Sequence, residues 1–209
     1  MIPTDDSAPL APSDRQQGVL EATKQVAQLL KSEGHPFALA GSVAAYAHGV
    51  SRRSPHDTDF CVLRSDVEAI TKTLGAAGLR VWQPPEDWLV KAEYQGHAID
   101  LIFALADRPV DTGLLERAEV RPVYSVWMPV LAPTDLVGSQ MEAFSEHHCD
   151  YGALLPVART LRERVDWAYL RRRSEERPMA LAFLHLLELL DVIPAHGLTQ
   201  DQAGTADAQ

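Results

Sequence analysis

Two aspartates stand at the head of an apolar run, Asp57-Thr-Asp59-Phe-Cys-Val-Leu63, and nothing else in the chain limits its fold so tightly. An apolar run this short reads as a buried strand. Side chains at i and i+2 of a strand point to one face, so both carboxylates emerge on the same side of a sheet. Upstream, Phe37-Ala-Leu-Ala-Gly41 is a second short buried strand, and Ser42 opens a helical stretch to Gly49 from what looks like an N-cap position. Downstream, Asp100 lies inside a further apolar run, AIDLIFAL, where an unpaired carboxylate is costly to bury. If these strands are neighbours, three carboxylates meet at one edge of a sheet.

The remaining pattern supports a sheet with helices around it. Residues 15–33 set Val19, Leu20, Val26, Leu29 and Leu30 on one helical stripe, with Gly34 as the stop. Ser65-Asp66-Val67-Glu68 has the spacing of a capping box, opening a helix to about Ala77. LRVWQ (79–83) is strand-like, and WLVKAEY (88–94) pairs with AIDLIFAL (98–105) across Gln95-Gly96 as a hairpin. VRPVYSVWMPVL (120–131) adds one or two strands, with Pro122 and Pro129 favouring an edge. After Thr134, placed to cap, the pattern is helical over 134–146, 151–163, 166–176 and 179–190. The expected organisation is α/β (α+β): a domain over 14–131 built on a small mixed sheet, and a helical domain over 132–194. Residues 1–13 and 195–209, rich in proline or small polar residues, are expected to be disordered.

Composition narrows the function. A net charge of −10 disfavours broad non-specific nucleic-acid binding, which depends on neutralising phosphates. Seven arginines, Arg159, Arg162, Arg164, Arg171, Arg172, Arg173 and Arg177, nonetheless gather in the last third, either as a solvated helix face or as a substrate-binding face. No apolar run reaches the ~18–20 residues of a membrane span, and no signal-peptide pattern opens the chain, so no membrane association and a cytoplasmic location are expected. Cys61 reads as a small buried hydrophobe rather than half of a disulfide.

The chemistry follows from the ordered set. A Gly-Ser turn at a helix start offers backbone N–H groups and a hydroxyl to a phosphate, and Gly41 lets the backbone approach closely. Asp57 and Asp59 converge two hard oxygen donors on one site, as Mg²⁺ requires. With Asp100 the set could hold two metals ~3.5–4 Å apart, one at the attacking hydroxyl and one at a triphosphate. Each part alone is common; the order strand, Gly-Ser, helix, Asp-x-Asp strand and a third aspartate on a later strand is specific.

At these residues the sequence resembles the polymerase-β-like nucleotidyltransferase superfamily, whose signature is G-[GS], D-x-D and a later carboxylate. The resemblance implies a nucleotidyltransferase core that transfers NMP from an NTP to an acceptor hydroxyl, using Mg²⁺ (or Mn²⁺). It implies Asp57, Asp59 and Asp100 as catalytic metal ligands, and Gly41, Ser42 and Arg53 on the nucleotide. The stretch Leu131-Ala-Pro-Thr-Asp135-Leu136 followed by Glu146-His-His-Cys-Asp150 is similar to AbiE-type toxin nucleotidyltransferases, which implies a role for Asp150 at the nucleotide, a tRNA acceptor and a cognate antitoxin. Where those enzymes carry a lysine this chain has Gln140, which cannot neutralise triphosphate charge. A small cationic acceptor, an aminoglycoside or lincosamide antibiotic, fits the acidic balance better and is the alternative, but the C-terminal resemblance favours a toxin-like enzyme acting on tRNA. A degenerate module that binds nucleotide without catalysis is the third reading.

The remaining candidates read as structural. His147, His148 and Cys149 lack zinc-ligand spacing and are assigned to the surface. Trp82, Trp88, Trp127 and Trp167 are expected to pack in the core or at an interface, and Tyr46 and Phe60 beneath the site.

Overall fold

The computed structural model describes residues 14–50 and 55–195. The expectations for residues 1–13, for the tail from 196 onward and for Arg53 lie outside these residues. The chain runs α1 (Asp14–Ser32), β1 (Phe37–Ala40), α2 (Gly41–Ala47), β2 (Thr58–Val62), α3 (Val67–Ala76), β3 (Arg80–Trp82), β4 (Leu89–Tyr94) and β5 (His97–Ile102). It continues through β6 (Ala104–Leu105), β7 (Arg108–Pro109), α4 (Thr112–Glu116), β8 (Glu119–Val123) and β9 (Val126–Val130). Four helices follow: α5 (Pro133–Glu142), α6 (Tyr151–Leu161), α7 (Trp167–Arg173) and α8 (Pro178–Leu189).

Seven strands form one mixed sheet in the order β3-β4-β5-β2-β1-β9-β8, and β6 and β7 pair separately. β2 is central, antiparallel to β1 and parallel to β5. Its alternation settles the two faces. Thr58 is fully buried and its hydroxyl lies 2.9 Å from that of Thr23 on α1. Asp57 and Asp59 therefore point to the other face, toward α2, which packs on β1 and β2 and carries α5 behind it. Phe60, buried on the α1 side, meets Phe37 edge-to-face with ring centroids 5.5 Å apart. A single apolar cluster runs from Val19 on α1 to Ile193 beyond α8, joining the sheet to the C-terminal helices.

Local chemistry explains the helix starts. Pro133 and Pro178 occupy first-turn positions of α5 and α8, where a missing N–H costs nothing. Asp150 and Asp166 cap α6 and α7, accepting from Ala153 N at 2.9 Å and Tyr169 N at 2.8 Å. Three expected caps differ. Thr134 lies inside α5 and accepts from Asp166 N at 2.9 Å, tying α5 to α7. Ser65 donates to Asp66 Oδ1 at 2.9 Å in a 3-10 turn, so no capping box opens α3. Ser42 lies within the first turn of α2, whose cap residue is Ala40.

The hairpin of β4 and β5 turns at Gln95-Gly96 as expected, both residues at positive φ. Pro122 lies in the edge strand β8, but Pro129 lies in β9, which has a neighbour on each side. β9 tolerates it because its pairing with β1 is confined to the end of the strand, at Leu39 and Val130, beyond the proline. Trp82, Trp88 and Trp127 are exposed rather than packed inside, because each sits at a sheet margin or in a loop. Among the described residues no helix is long and apolar enough to cross a membrane.

Candidate active site

Where β1 ends and α2 begins, Gly41 adopts a φ of +57°, a region that glycine enters without strain. Conformation is only half of its requirement. A Cβ built on Gly41 would stand 1.7 Å from Asp59 Oδ2, so the Asp59 carboxylate occupies the space a side chain would take. The register pairs Ala40 with Asp59, which carries this carboxylate across the β1–β2 step onto the Gly-Ser turn.

Ser42 is buried, and its hydroxyl is spent on the Asp57 segment. Its Oγ donates toward Asp57 Oδ1 at 3.0 Å and Asp57 O at 3.1 Å, and accepts from His56 N at 3.3 Å. These contacts tie the hydroxyl to the approach of Asp57 toward the start of β2. His56 adds a second tie, its Nδ1 2.8 Å from Asp57 Oδ1. Asp57 Oδ2 takes no partner among the described residues.

These residues open onto a cleft of about 330 Å³ lined by Gly41, Ser42, His56, Asp57 and Asp59 on the sheet side. Gln140, Phe144, His148, Asp150 and Leu154 line it from the helical side. Asp150 thus reaches the same cleft as the Asp-x-Asp pair, from more than ninety positions later in the chain. Gln140 stands beside it, so the position lacking a lysine does face the cleft. His148, expected at the surface, is exposed and lines the cleft. No local spacing marks it, because only the α5–α6 connection folding back over the sheet brings it there.

Asp100 is placed differently. It is the register partner of Asp59 on the adjacent strand β5, yet Lys91 Nζ on β4 donates to both of its oxygens at 3.0 Å. Among the described residues no three carboxylate, imidazole or thiolate groups lie close enough to hold a metal ion between them. The donor chemistry of Asp57 and Asp59 fits a hard divalent cation, Mg²⁺ or Mn²⁺, and both residues line one cleft. Arg53 lies outside the described residues. Cys61, one residue past the pair's strand neighbour, is fully buried, and burial pushes its thiol far above the ordinary range.

A second, more open cleft of about 780 Å³ adjoins the first, sharing Ala143 and Phe144 at the end of α5. Asp87, Trp88 and Phe103 form one wall, and Asp107, Glu142 and Arg177 the other. Phe144 stands between the two, braced by Tyr151 and Phe183 with ring centroids 5.1 and 5.8 Å away.

No protein-family model and no curated protein matches the sequence. The fold does match solved structures. The antibiotic-resistance factor ANT(2″)-Ia in solution superposes with a TM-score of 0.60 at 15% identity, over 82% of this chain and 98% of that one. ANT(2″)-Ia in complex with adenylyl-2″-tobramycin gives 0.56 at 12% identity, over 80% and 97%. JHP933 from Helicobacter pylori gives 0.51 at 14% identity, over 87% and 82%. At these identities the likeness is one of architecture, and the architecture is that of the nucleotidyltransferase fold.

Proposed function

We propose that this protein is a divalent-metal-dependent nucleotidyltransferase that moves NMP from an NTP to a hydroxyl of a small, amine-bearing acceptor. The observation carrying the reaction class is the contact of Asp59 on Gly41, with Asp57 tied beside it and Asp150 facing both across one cleft. Asp57 and Asp59 would hold the metal, which when bound withdraws charge from the triphosphate oxygens and lowers the cost of attack at the α-phosphorus. The acceptor oxygen forms a bond to that phosphorus as the bond to pyrophosphate breaks. The hydroxyl proton passes to the Asp100 carboxylate and on to water. Ser42 and His56 hold Asp57 still, and Phe144 separates nucleotide from acceptor.

A small acceptor is favoured over tRNA because most of the arginine cluster is paired with carboxylates of the chain itself. Five of its seven members pair with carboxylates: Arg162 with Glu163, Arg164 with Glu119, Arg171 with Glu188, Arg173 with Glu142 and Arg177 with Asp107. A side chain held by a neighbouring carboxylate has less charge to offer a phosphate backbone. The adjoining cleft is lined by Asp87 and the exposed Trp88, a pairing suited to an ammonium group, with Arg64 and Arg177 also in its lining. The adenylyl-2″-tobramycin held by ANT(2″)-Ia is the kind of product this predicts.

The test is label transfer with Mg²⁺ and each α-labelled NTP, offering bulk tRNA or a panel of amino sugars. Label is expected on an amino sugar and not on tRNA. Asp57→Ala and Asp59→Ala should each lower the rate by at least about a thousandfold, about 4 kcal/mol of barrier. Label on tRNA alone would reverse the acceptor assignment and restore the toxin reading with its antitoxin partner. Nucleotide binding without any pyrophosphate release would make the protein a non-catalytic module.

A further inference from the structure

One rung of the sheet carries a charge arrangement that the transfer reaction does not by itself require. Lys91 on β4 is the register partner of Asp100 on β5, and Asp100 is the register partner of Asp59 on β2. Cross-strand partners share a face, so the ammonium and the two carboxylates stand in one row, strands ~4.8 Å apart. Lys91 Nζ reaches both oxygens of Asp100 at 3.0 Å, and the pair is partly withdrawn from water, with side-chain exposures of 34% and 20%. Like charges facing each other across adjacent strands are destabilising, and an ammonium at the end of the row relieves that repulsion.

We infer that Lys91 is a resident counter-ion for Asp100: a positioning residue that holds the third carboxylate back until a divalent cation competes for it. This rests on the reading of Asp57, Asp59 and Asp100 as the carboxylates of a nucleotidyltransferase, and it adds a control to that site. The ammonium and an incoming cation compete for the same negative charge. A cation arriving at Asp57 and Asp59 gains Asp100 only as Lys91 gives it up. The carboxylate set is therefore completed by loading, and the unloaded protein keeps its third member neutralised. Lys91 acts through Asp100 and touches no reacting atom.

Mn²⁺ binding to the nucleotide-free protein tests this, read as free ion by electron paramagnetic resonance. Lys91→Met should bind Mn²⁺ at least about tenfold more tightly than wild type, since the ammonium that competes with the ion for Asp100 is gone. Lys91→Arg, which keeps the charge, should bind as wild type does. In an Asp100→Asn background the Lys91→Met change should no longer alter the affinity. Melting gives an independent readout: Lys91→Met should melt lower without the ion and be raised further by it than wild type. Equal Mn²⁺ affinity in wild type and Lys91→Met, or equal ion-induced melting shifts, would overturn the inference, as would an undiminished effect in the Asp100→Asn background. Neither nucleotide nor acceptor is used. Failure here therefore leaves nucleotidyl transfer standing, and absence of transfer leaves the ion-binding result standing.

Discussion

Gly41 shows how much of this site rests on one missing side chain. Two separate demands fall on it, a φ of +57° and the Asp59 carboxylate 1.7 Å from where a Cβ would lie. A Gly41→Ala change meets both. Holding alanine in the left-handed region costs about 1–3 kcal/mol at a site where the surroundings dictate the backbone. Asp59 must also move, and a displacement of about 1 Å in a positioned group can cost a hundredfold in rate. The expected result is a modest loss in thermal denaturation with a fall in turnover of about a hundredfold or more. Stability and turnover both at wild-type level would show that the Gly41–Asp59 contact positions nothing. Ser42 makes the complementary point: its hydroxyl faces the backbone and carboxylate of Asp57 and ties that residue to the Gly-Ser turn.

At the scale of elements, the C-terminal end of α5 is the hinge point between the two clefts, and Glu142 secures it. Its carboxylate is almost fully buried and accepts from Arg108 at 3.2 Å and from Arg173, while Arg177 donates to its backbone oxygen at 2.8 Å. Glu142→Ala would leave Arg173, itself largely buried, without its carboxylate, a loss of about 3–5 kcal/mol when one partner of a buried pair is removed. Glu142→Gln, which keeps an acceptor, should lose less; urea denaturation of the two variants checks the order, and equal losses would mean the charge is immaterial. None of these partners is near Glu142 in sequence, which marks the limit of what a sequence displays. Strand runs and the Gln95-Gly96 hairpin were readable, because period and composition act over a few residues. So was the cleft position of Gln140 and Asp150, through a resemblance. His56, His148 and the Lys91–Asp100 pair were not, since each depends on register or on a connection folding back. Thr134 and Ser65 have cap spacing but do not cap, because the Thr134 hydroxyl accepts from Asp166 N and the Ser65 hydroxyl donates to Asp66 Oδ1 within a 3-10 turn.

Across the whole molecule, the sheet, α2 and the C-terminal helices meet at a histidine that carries no role in the reaction. His48, at the end of α2, is buried; its Nε2 donates to Leu131 O at 2.8 Å, and its Nδ1 accepts from Arg164 Nη1 at 3.2 Å. Arg164 in turn holds Glu119 on β8. This network requires the neutral ring, because a proton on Nδ1 would face the guanidinium. Burial pulls the imidazole below its ordinary value and the nearby Arg164 charge adds to this, against the raising effect of the Leu131 carbonyl and Glu119. The folded state therefore binds the proton less readily than the unfolded chain, whose histidine titrates near about 6.5. The stability due to neutral His48 is fully present above that value. It is lost progressively as the pH falls from there through the lower folded value. Urea unfolding at pH 7.5 and pH 5.5 should show wild type losing stability on acidification. His48→Gln, whose amide can still donate toward Leu131 but cannot take a proton, should start less stable and lose less. Parallel losses in the two proteins would place the acid sensitivity elsewhere. A still lower pH would reach Glu119, which the Arg121 and Arg164 guanidiniums hold below the usual carboxylate range despite its desolvation. Acid would then loosen the link between sheet and helices from both of its ends, first at His48 and then at Glu119.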